Sequence, residues 1–236
     1  MQTSYHPTAV RFQRQNNNYL LTGPLSGAGS VSQKNGVFSV WLRFTAGDGQ
    51  TQQIVQSSNV GGLLVAGITR AANNKLNFNL PDCLDGPVLN MSTKGTYTIE
   101  NGWIHVLAVW DVSAGRASIF VNGVEDTNVS VILNSDICYT ALEWGVGGLS
   151  AQLDADVADF YAELGAYLDV TDPAVRAKFI QNNKPVKLGE NCANPTGTTP
   201  IACFKGPVES WNVNLGTGGG MTASVPLTAA PSNPGD

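Results

Sequence analysis

Apolar residues recur at every second position in several short stretches, separated by links rich in Gly, Asn and Ser. In residues 37–44, Phe38, Val40, Leu42 and Phe44 alternate with Ser39, Trp41 and Arg43. That is the period-2 pattern of a strand with one buried face. Residues 103–112 repeat it: Ile104, Val106, Ala108, Trp110 and Val112 share one parity, and His105 and Asp111 fall on the other. The chain returns through 118–121 to Asn122-Gly123, a pair that takes the positive φ values a tight hairpin turn needs. The stretch 102–123 reads as the central hairpin of a two-sheet β-sandwich.

The rest of the chain fits around it. Residues 8–21 read as strand, turn and strand, with Asn16 to Asn18 as the turn, and 22–36 as a loop. Further short strands are expected at 53–56, 63–68, 76–80, 124–131 and 142–148, with 81–95 irregular. Strands of this length and spacing favour a sandwich over a parallel α/β sheet. Residues 153–164 form a long strand whose parity breaks, since Ala158, Phe160, Ala162 and Leu164 share parity with Asp154 and Asp156. A β-bulge near Val157 would resolve the conflict. One helix is expected, capped by Thr171 or Asp172, with Pro173 in its first turn and Val175 four residues from Phe179, ending near Asn182 and Asn183. The expected organisation is a tail at 1–7, a sandwich at 8–168, a short helix at 169–183 and an extended arm at 184–236. The arm carries scattered apolar anchors, chiefly Ile201, Phe204, Val208, Trp211 and Leu215, and is expected to lie on the sandwich or on a neighbour.

Composition narrows the function classes. Of 236 residues only 13% are charged, against about 25% in an average soluble protein. The net charge is −5 with no basic run, which excludes the positive stripe of a nucleic-acid binder. No apolar stretch approaches the roughly 18 residues of a membrane span. The N-terminus lacks the basic and apolar regions of a secretory signal, so if Met1 is the natural start the protein is expected to stay in a cytoplasm. The 4 cysteines, Cys83, Cys138, Cys192 and Cys203, form no C-x-x-C pair. The reading is free thiols in a reducing compartment, with closure of a Cys192–Cys203 loop as the alternative.

The order of FSVWLRF, WIHVLAVWD, IFVNG and ADFYAELGAYL resembles the laminin-G-like, or concanavalin A-like, superfamily. Trp103, Asn122, Gly123, Asp159 and Tyr161 carry the likeness over roughly residues 8–168. It implies an all-β, two-sheet antiparallel jelly-roll sandwich, here with one short helix and an extended C-terminal arm. The segment after it resembles tails on laminin-G-like proteins of bacteriophages and prophages. Lys178, Phe179, Ile180, Lys184, Pro185, Val186, Leu188, Gly189, Pro195, Thr196, Gly197 and Pro200 carry that match, with Asn183 in place of the usual Gly before Lys-Pro. The implied function is a non-enzymatic structural component of a phage virion, decorating the capsid or forming part of the tail, assembled in the host bacterial cytoplasm. Its implied partners are other virion proteins, further copies of itself held through an arm anchored by Phe204, Trp211 and Leu215, and a host-surface glycan. Arms with sparse anchors gain order by lying on a partner, and symmetric assembly is the usual form. The alternatives are a lectin-like adhesion module and a glycan hydrolase or lyase.

Candidate chemistry is sparse. Superfamily members that cut β-glucans carry E-x-D-x-x-E or E-x-D-x-E, which sets two carboxylates about 5 Å apart for retaining hydrolysis. No such run occurs, and Glu143 stands alone before Trp144. Asp154, Asp156 and Asp159 are the nearest acid cluster, and Asp154 with Asp156 is the candidate Ca²⁺ site; the plainer reading is solvated strand ends, and no cofactor is otherwise expected. His105 has no nucleophile at a telling spacing and reads as a structural histidine. GTGGG at 216–220 lacks the Lys-Ser/Thr of a phosphate loop. Trp41, Trp103 and Trp110 are the candidate carbohydrate platform, against burial in a second face covered by the tail.

Overall fold

A computed structural model describes residues 5–26, 31–58 and 64–236, the side chains of 64 and 65 excepted. Residue 63 of an expected strand, 27–30 of the expected loop and 1–4 of the expected tail lie outside the described residues. The strands, in chain order, are β1 (Val10–Phe12), β2 (Leu20–Thr22), β3 (Asn35–Phe44), β4 (Gln52–Ser58), β5 (Leu64–Arg70), β6 (Leu76–Pro81), β7 (Pro87–Thr93), β8 (Ile104–Asp111), β9 (Arg116–Val121), β10 (Val124–Glu125), β11 (Thr127–Ile132), β12 (Glu143–Val146) and β13 (Ala155–Leu164). A single-turn helix α1 (Pro173–Arg176) follows, then β14 (Ile180–Gln181), β15 (Lys184–Pro185), β16 (Ala202–Phe204), β17 (Thr222–Ala223) and β18 (Thr228–Ala229).

They form two antiparallel sheets packed face to face, an all-β sandwich of jelly-roll type. Sheet A runs β10-β9-β8-β3-β13-β1-β18, with β16 added beside β13; sheet B runs β11-β7-β6-β5-β4-β12-β2-β17. The inner faces are those the alternation predicts. Phe38, Val40 and Leu42 of β3 and Ile104, Val106, Ala108 and Trp110 of β8 meet Ile68, Phe78 and Met91 from sheet B in one core. Each such side chain contributes about 1.5–3 kcal/mol when fully buried. The Trp110 indole N–H donates to Tyr139 Oη at 2.7 Å, so its polar edge is satisfied inside the core. Gly36 faces this indole, and a Cβ there would stand 2.4 Å from its ring. Asn122 and Gly123 take φ of 51° and 77°, the left-handed values expected for the hairpin turn.

Several expectations are corrected. The bulge in β13 lies at Asp159, with φ of 45°, where the register with β3 shifts between Ala158 and Tyr161. Ala155 and Val157 therefore join Phe160 in the core, while Ala158 points outward. The stretch 81–95 is not irregular, since it holds β7. The helix stops at Arg176, and Asn182 and Asn183, at φ of 51° and 57°, turn the β14–β15 hairpin instead. Nor do the sheets end within 8–168: β16 pairs with β13, β17 with β2 and β18 with β1. The cysteines are paired, Cys83 with Cys138 and Cys192 with Cys203, at Cα separations of 4.8 Å and 6.3 Å, both within disulfide reach. The free-thiol reading fails; sequence spacing does not reveal that the Cys138 backbone N–H bonds Pro81 O at 2.9 Å, beside Cys83.

The chain after β13, helix segment and arm together, closes the outer face of sheet A. Phe179, Val170, Leu188 and the Cys192–Cys203 pair pack on Val37, Leu107, Val109, Phe120 and Tyr161. A smaller cluster sets Ile180 and Ala230 on Trp41 and Ala158.

Candidate functional site

The expected tryptophan platform does not form at Trp41 or Trp110, which are 3% and 2% exposed. Trp41 lies under the arm and Trp110 between the sheets, so neither indole can stack on a sugar. Trp103 is half-buried; Arg43 lies over its ring at 5.5 Å and its N–H donates to Ser232 Oγ at 3.1 Å. The expected Ca²⁺ pair is also spent elsewhere. Asp156, fully buried, accepts from Arg11 Nε at 2.7 Å and from Arg43 Nε at 2.9 Å. Asp154 accepts the Arg14 backbone N–H at 2.8 Å and has the Arg14 guanidinium at 3.7 Å. Two guanidiniums around one carboxylate repel a further cation. Among the described residues no cluster of three or more His, Cys, Asp or Glu side chains is arranged for a metal. The assembly anchors Phe204 and Trp211 are fully buried in this chain's own core, stacked at 5.7 Å, and Leu215 packs on the covered face of sheet A. Phe204 and Trp211 therefore have no surface left to hold a neighbour, while Leu215 is half-buried.

His105 has a partner that sequence spacing hid: its Nε2 lies 2.9 Å from Ser39 Oγ, because β3 and β8 pair. The dyad is sealed between Trp41, at 5.1 Å, and Phe179, at 6.5 Å. Burial pushes the imidazole pKa down to about 3, so it stays neutral and has no access to substrate.

The outer face of sheet B is different. Strand register sets Thr69, Asn77, Ser92 and Asn128 in one row across β5, β6, β7 and β11, and Gln56, Gly67, Asn79 and Asn90 in the next across β4 to β7. The alternate residues Ile68, Phe78 and Met91 point into the core, so this polarity is the outward half of a period-2 pattern. The segment 147–152 crosses the β4 end: Leu149 N donates to Gln56 Oε1 at 2.9 Å and Gln53 N to Ala151 O at 2.6 Å. Beyond it the face is open. Asn73, Lys75, Asn77, Asn79, Asn90, Ser92 and Ser130 line a shallow groove of about 530 Å³. Asn128 Nδ2 reaches Ser92 Oγ at 3.4 Å and Ser130 Oγ donates to Asn90 O at 3.2 Å, while Asn90 Oδ1 is shielded from water with no hydrogen-bond partner. Toward the opposite edge of this face, Tyr19, Leu142, Glu143, Thr222 and Ser224 line a second groove of about 450 Å³. Sequence reasoning passed over the amides, although L-N-F-N-L at 76–80 displays them at every second position.

Apart from Lys75 and Glu143, these groups offer neutral donors and acceptors. A side-chain amide can donate twice and accept twice, which matches a ligand rich in hydroxyls.

The concanavalin A-like lectin/glucanases family profile matches residues 14–160. The chain belongs to this superfamily, in its laminin-G-like branch. No curated protein sequence matches significantly. Among solved structures, a Bacteroides ovatus protein provisionally assigned as carbohydrate-binding superposes with a TM-score of 0.56 at 13% identity, over 97% of this chain. This chain spans 62% of that protein's length. A heptameric SAP-like pentraxin from Limulus polyphemus gives a TM-score of 0.55 at 13% identity, over 96% of each chain. At such identities the likeness establishes the fold. No helix among the described residues is long and apolar enough to cross a membrane.

Proposed function

We propose that this chain is a glycan-binding module, not an enzyme, and that it binds through the outer face of sheet B. The carrying observation is the contrast between the outer faces: the arm covers that of sheet A, while sheet B keeps Asn77, Asn79, Asn90 and Ser92 open in a groove. Membership of a lectin-containing superfamily and the fold shared with the Bacteroides ovatus protein support the reading. The non-enzymatic part rests on the engagement of Asp154 and Asp156 by arginines. The two disulfides favour work in an oxidising milieu outside a cytoplasm.

The finer reading, a phage virion component carrying this module to a host surface, draws on the likeness of residues 178–200 to the C-terminal segments of laminin-G-like proteins of bacteriophages and prophages. Any association with other virion proteins or between copies would then use surfaces other than the arm's buried anchors. Screening the intact chain on a printed glycan array tests the proposal. Asn77→Ala/Asn90→Ala is expected to lose the hits by about tenfold or more, as two hydrogen bonds of about 1 kcal/mol each would give, with the melting temperature unchanged. Loss of the hits in Trp103→Ala instead would move the site to sheet A.

A further inference from the structure

The groove on sheet B has an electrostatic polarity along β6. Its floor is neutral, and Lys75 stands at one end, two residues before Asn77 and on the same face. Arg70, opposite Leu76, points into the sandwich, where Asp48 takes its Nη1 at 2.7 Å. Lys75 has no such partner.

Its isolation is specific to this position. Arg11, Arg14, Arg43, Arg70 and Arg116 are paired with aspartates. Lys34 donates to Asn134 Oδ1 at 2.9 Å. Lys178 and Lys205 donate to the carbonyls of Pro195 and Gly189, and Arg176 to that of Thr171. Lys94, Lys184 and Lys187 are exposed to solvent. Among the described residues, Lys75 is the unpartnered cation held half-buried in a groove, and no carboxylate lines that groove. In a chain of net charge −5, an ammonium without a carboxylate beside it gives this groove a local attraction for an anion.

We propose that the groove selects glycans carrying an anionic substituent, the Lys75 ammonium taking the charge while Asn77, Asn79, Asn90 and Ser92 hold the neighbouring hydroxyls. The inference rests on the glycan-binding reading and adds the ligand's chemical class. A single flexible ammonium acts as a point charge, so carboxylated and sulfated sugars share the chemistry. Asn77 follows Lys75 by about 7 Å along the strand, two residues of about 3.3 Å rise, so the charge and the amide contacts fall within one or two sugar rings.

The test is a printed array of neutral, carboxylated and sulfated oligosaccharides, followed by titration with polygalacturonate and with dextran as soluble anionic and neutral probes. Anionic glycans are expected to dominate the hits. Lys75→Gln is expected to weaken them about tenfold, leave neutral hits within twofold, and abolish the salt dependence of binding. The carboxylated and sulfated arms tell which anion is preferred. Binding of neutral glycans alone, or an anionic preference that survives Lys75→Gln, overturns the inference and leaves the glycan-binding reading standing. Binding of no glycan overturns both.

Discussion

The two outer faces of this sandwich are built by the same strand geometry and put to opposite uses. On sheet A the outward residues of β3 and β8 include Val37, Trp41, Leu107 and Val109 beside the Ser39–His105 pair, and the chain lays α1 and its C-terminal arm over them. On sheet B the corresponding positions of β6 and β7 are Asn77, Asn79, Asn90 and Ser92, and beyond segment 147–152 no part of the described chain covers them. An apolar outer face gains a few kcal/mol for each large side chain that is covered. An amide face gains nothing from burial without partners and stays available to a ligand that brings them. The comparison therefore separates a face that supplies stability from one that supplies binding.

Changes to groups buried in the core or beneath the arm should be the most damaging. Trp211→Ala, which empties a site beside Phe12 and Phe204, is expected to cost about 3–5 kcal/mol by denaturant unfolding. Deletion of 184–236 removes β16, β17 and β18 along with this residue, and should leave no cooperative transition. Asp156→Asn leaves Arg11 and Arg43 facing each other without their shared carboxylate, an expected loss of about 3 kcal/mol. Reducing Cys192–Cys203, which closes a sequence separation of 11 residues, should cost about 2–3 kcal/mol.

A smaller effect depends on pH. Burial pushes the Asp159 carboxyl up to about 7 from 3.8, although Tyr5 Oη donates to it at 2.9 Å and Lys205 lies near. Burial likewise raises Glu163 to about 7. The folded state then holds more protons than the unfolded chain, so this contribution is complete below the ordinary carboxylate range and is lost as pH rises to about 7. Neutral His105 has the opposite sign, since its contribution is lost as pH falls from 6.5 toward 3. Asp159→Asn isolates the first effect: relative to wild type its melting temperature should rise by a few degrees between pH 4 and 8. A constant offset across that range would contradict it. At the bottom of the scale, Asn77→Ala and Asn79→Ala should each change stability by less than about 0.5 kcal/mol while weakening glycan binding severalfold.

What could be read from sequence follows the same division. The inner faces of β3 and β8 were legible because alternation is dictated by burial on one side. The break in β13 was legible as a parity conflict but misplaced, since Ala155, Ala158 and Ala162 fit either face and only Asp159 takes the positive φ. Strand β7 was hidden by Pro81, Gly86 and Pro87 at its approach. The helix was overextended because Val175 and Phe179 do share a cluster, but through a single turn and a bend. Phe204 and Trp211 looked like anchors for a neighbour because their sequence surroundings are polar; the gap they fill exists only once both sheets are assembled. The Cys83–Cys138 bridge and the Ser39–His105 contact required the folded arrangement itself, whereas the Cys192–Cys203 pairing stood in the sequence as the alternative to free thiols. The amides of the binding face were visible as a pattern, but their use depends on what leaves them uncovered, and that is decided by where the arm goes.

The most direct test of glycan binding through sheet B is a side-chain amide NMR titration with the strongest array hit. The account predicts that the NH₂ resonances of Asn77, Asn79 and Asn90 shift, while the methyl groups of Leu107 and Val109 beneath the arm do not. Shifts confined to Trp103 and the arm, with the three amides unmoved, would contradict it.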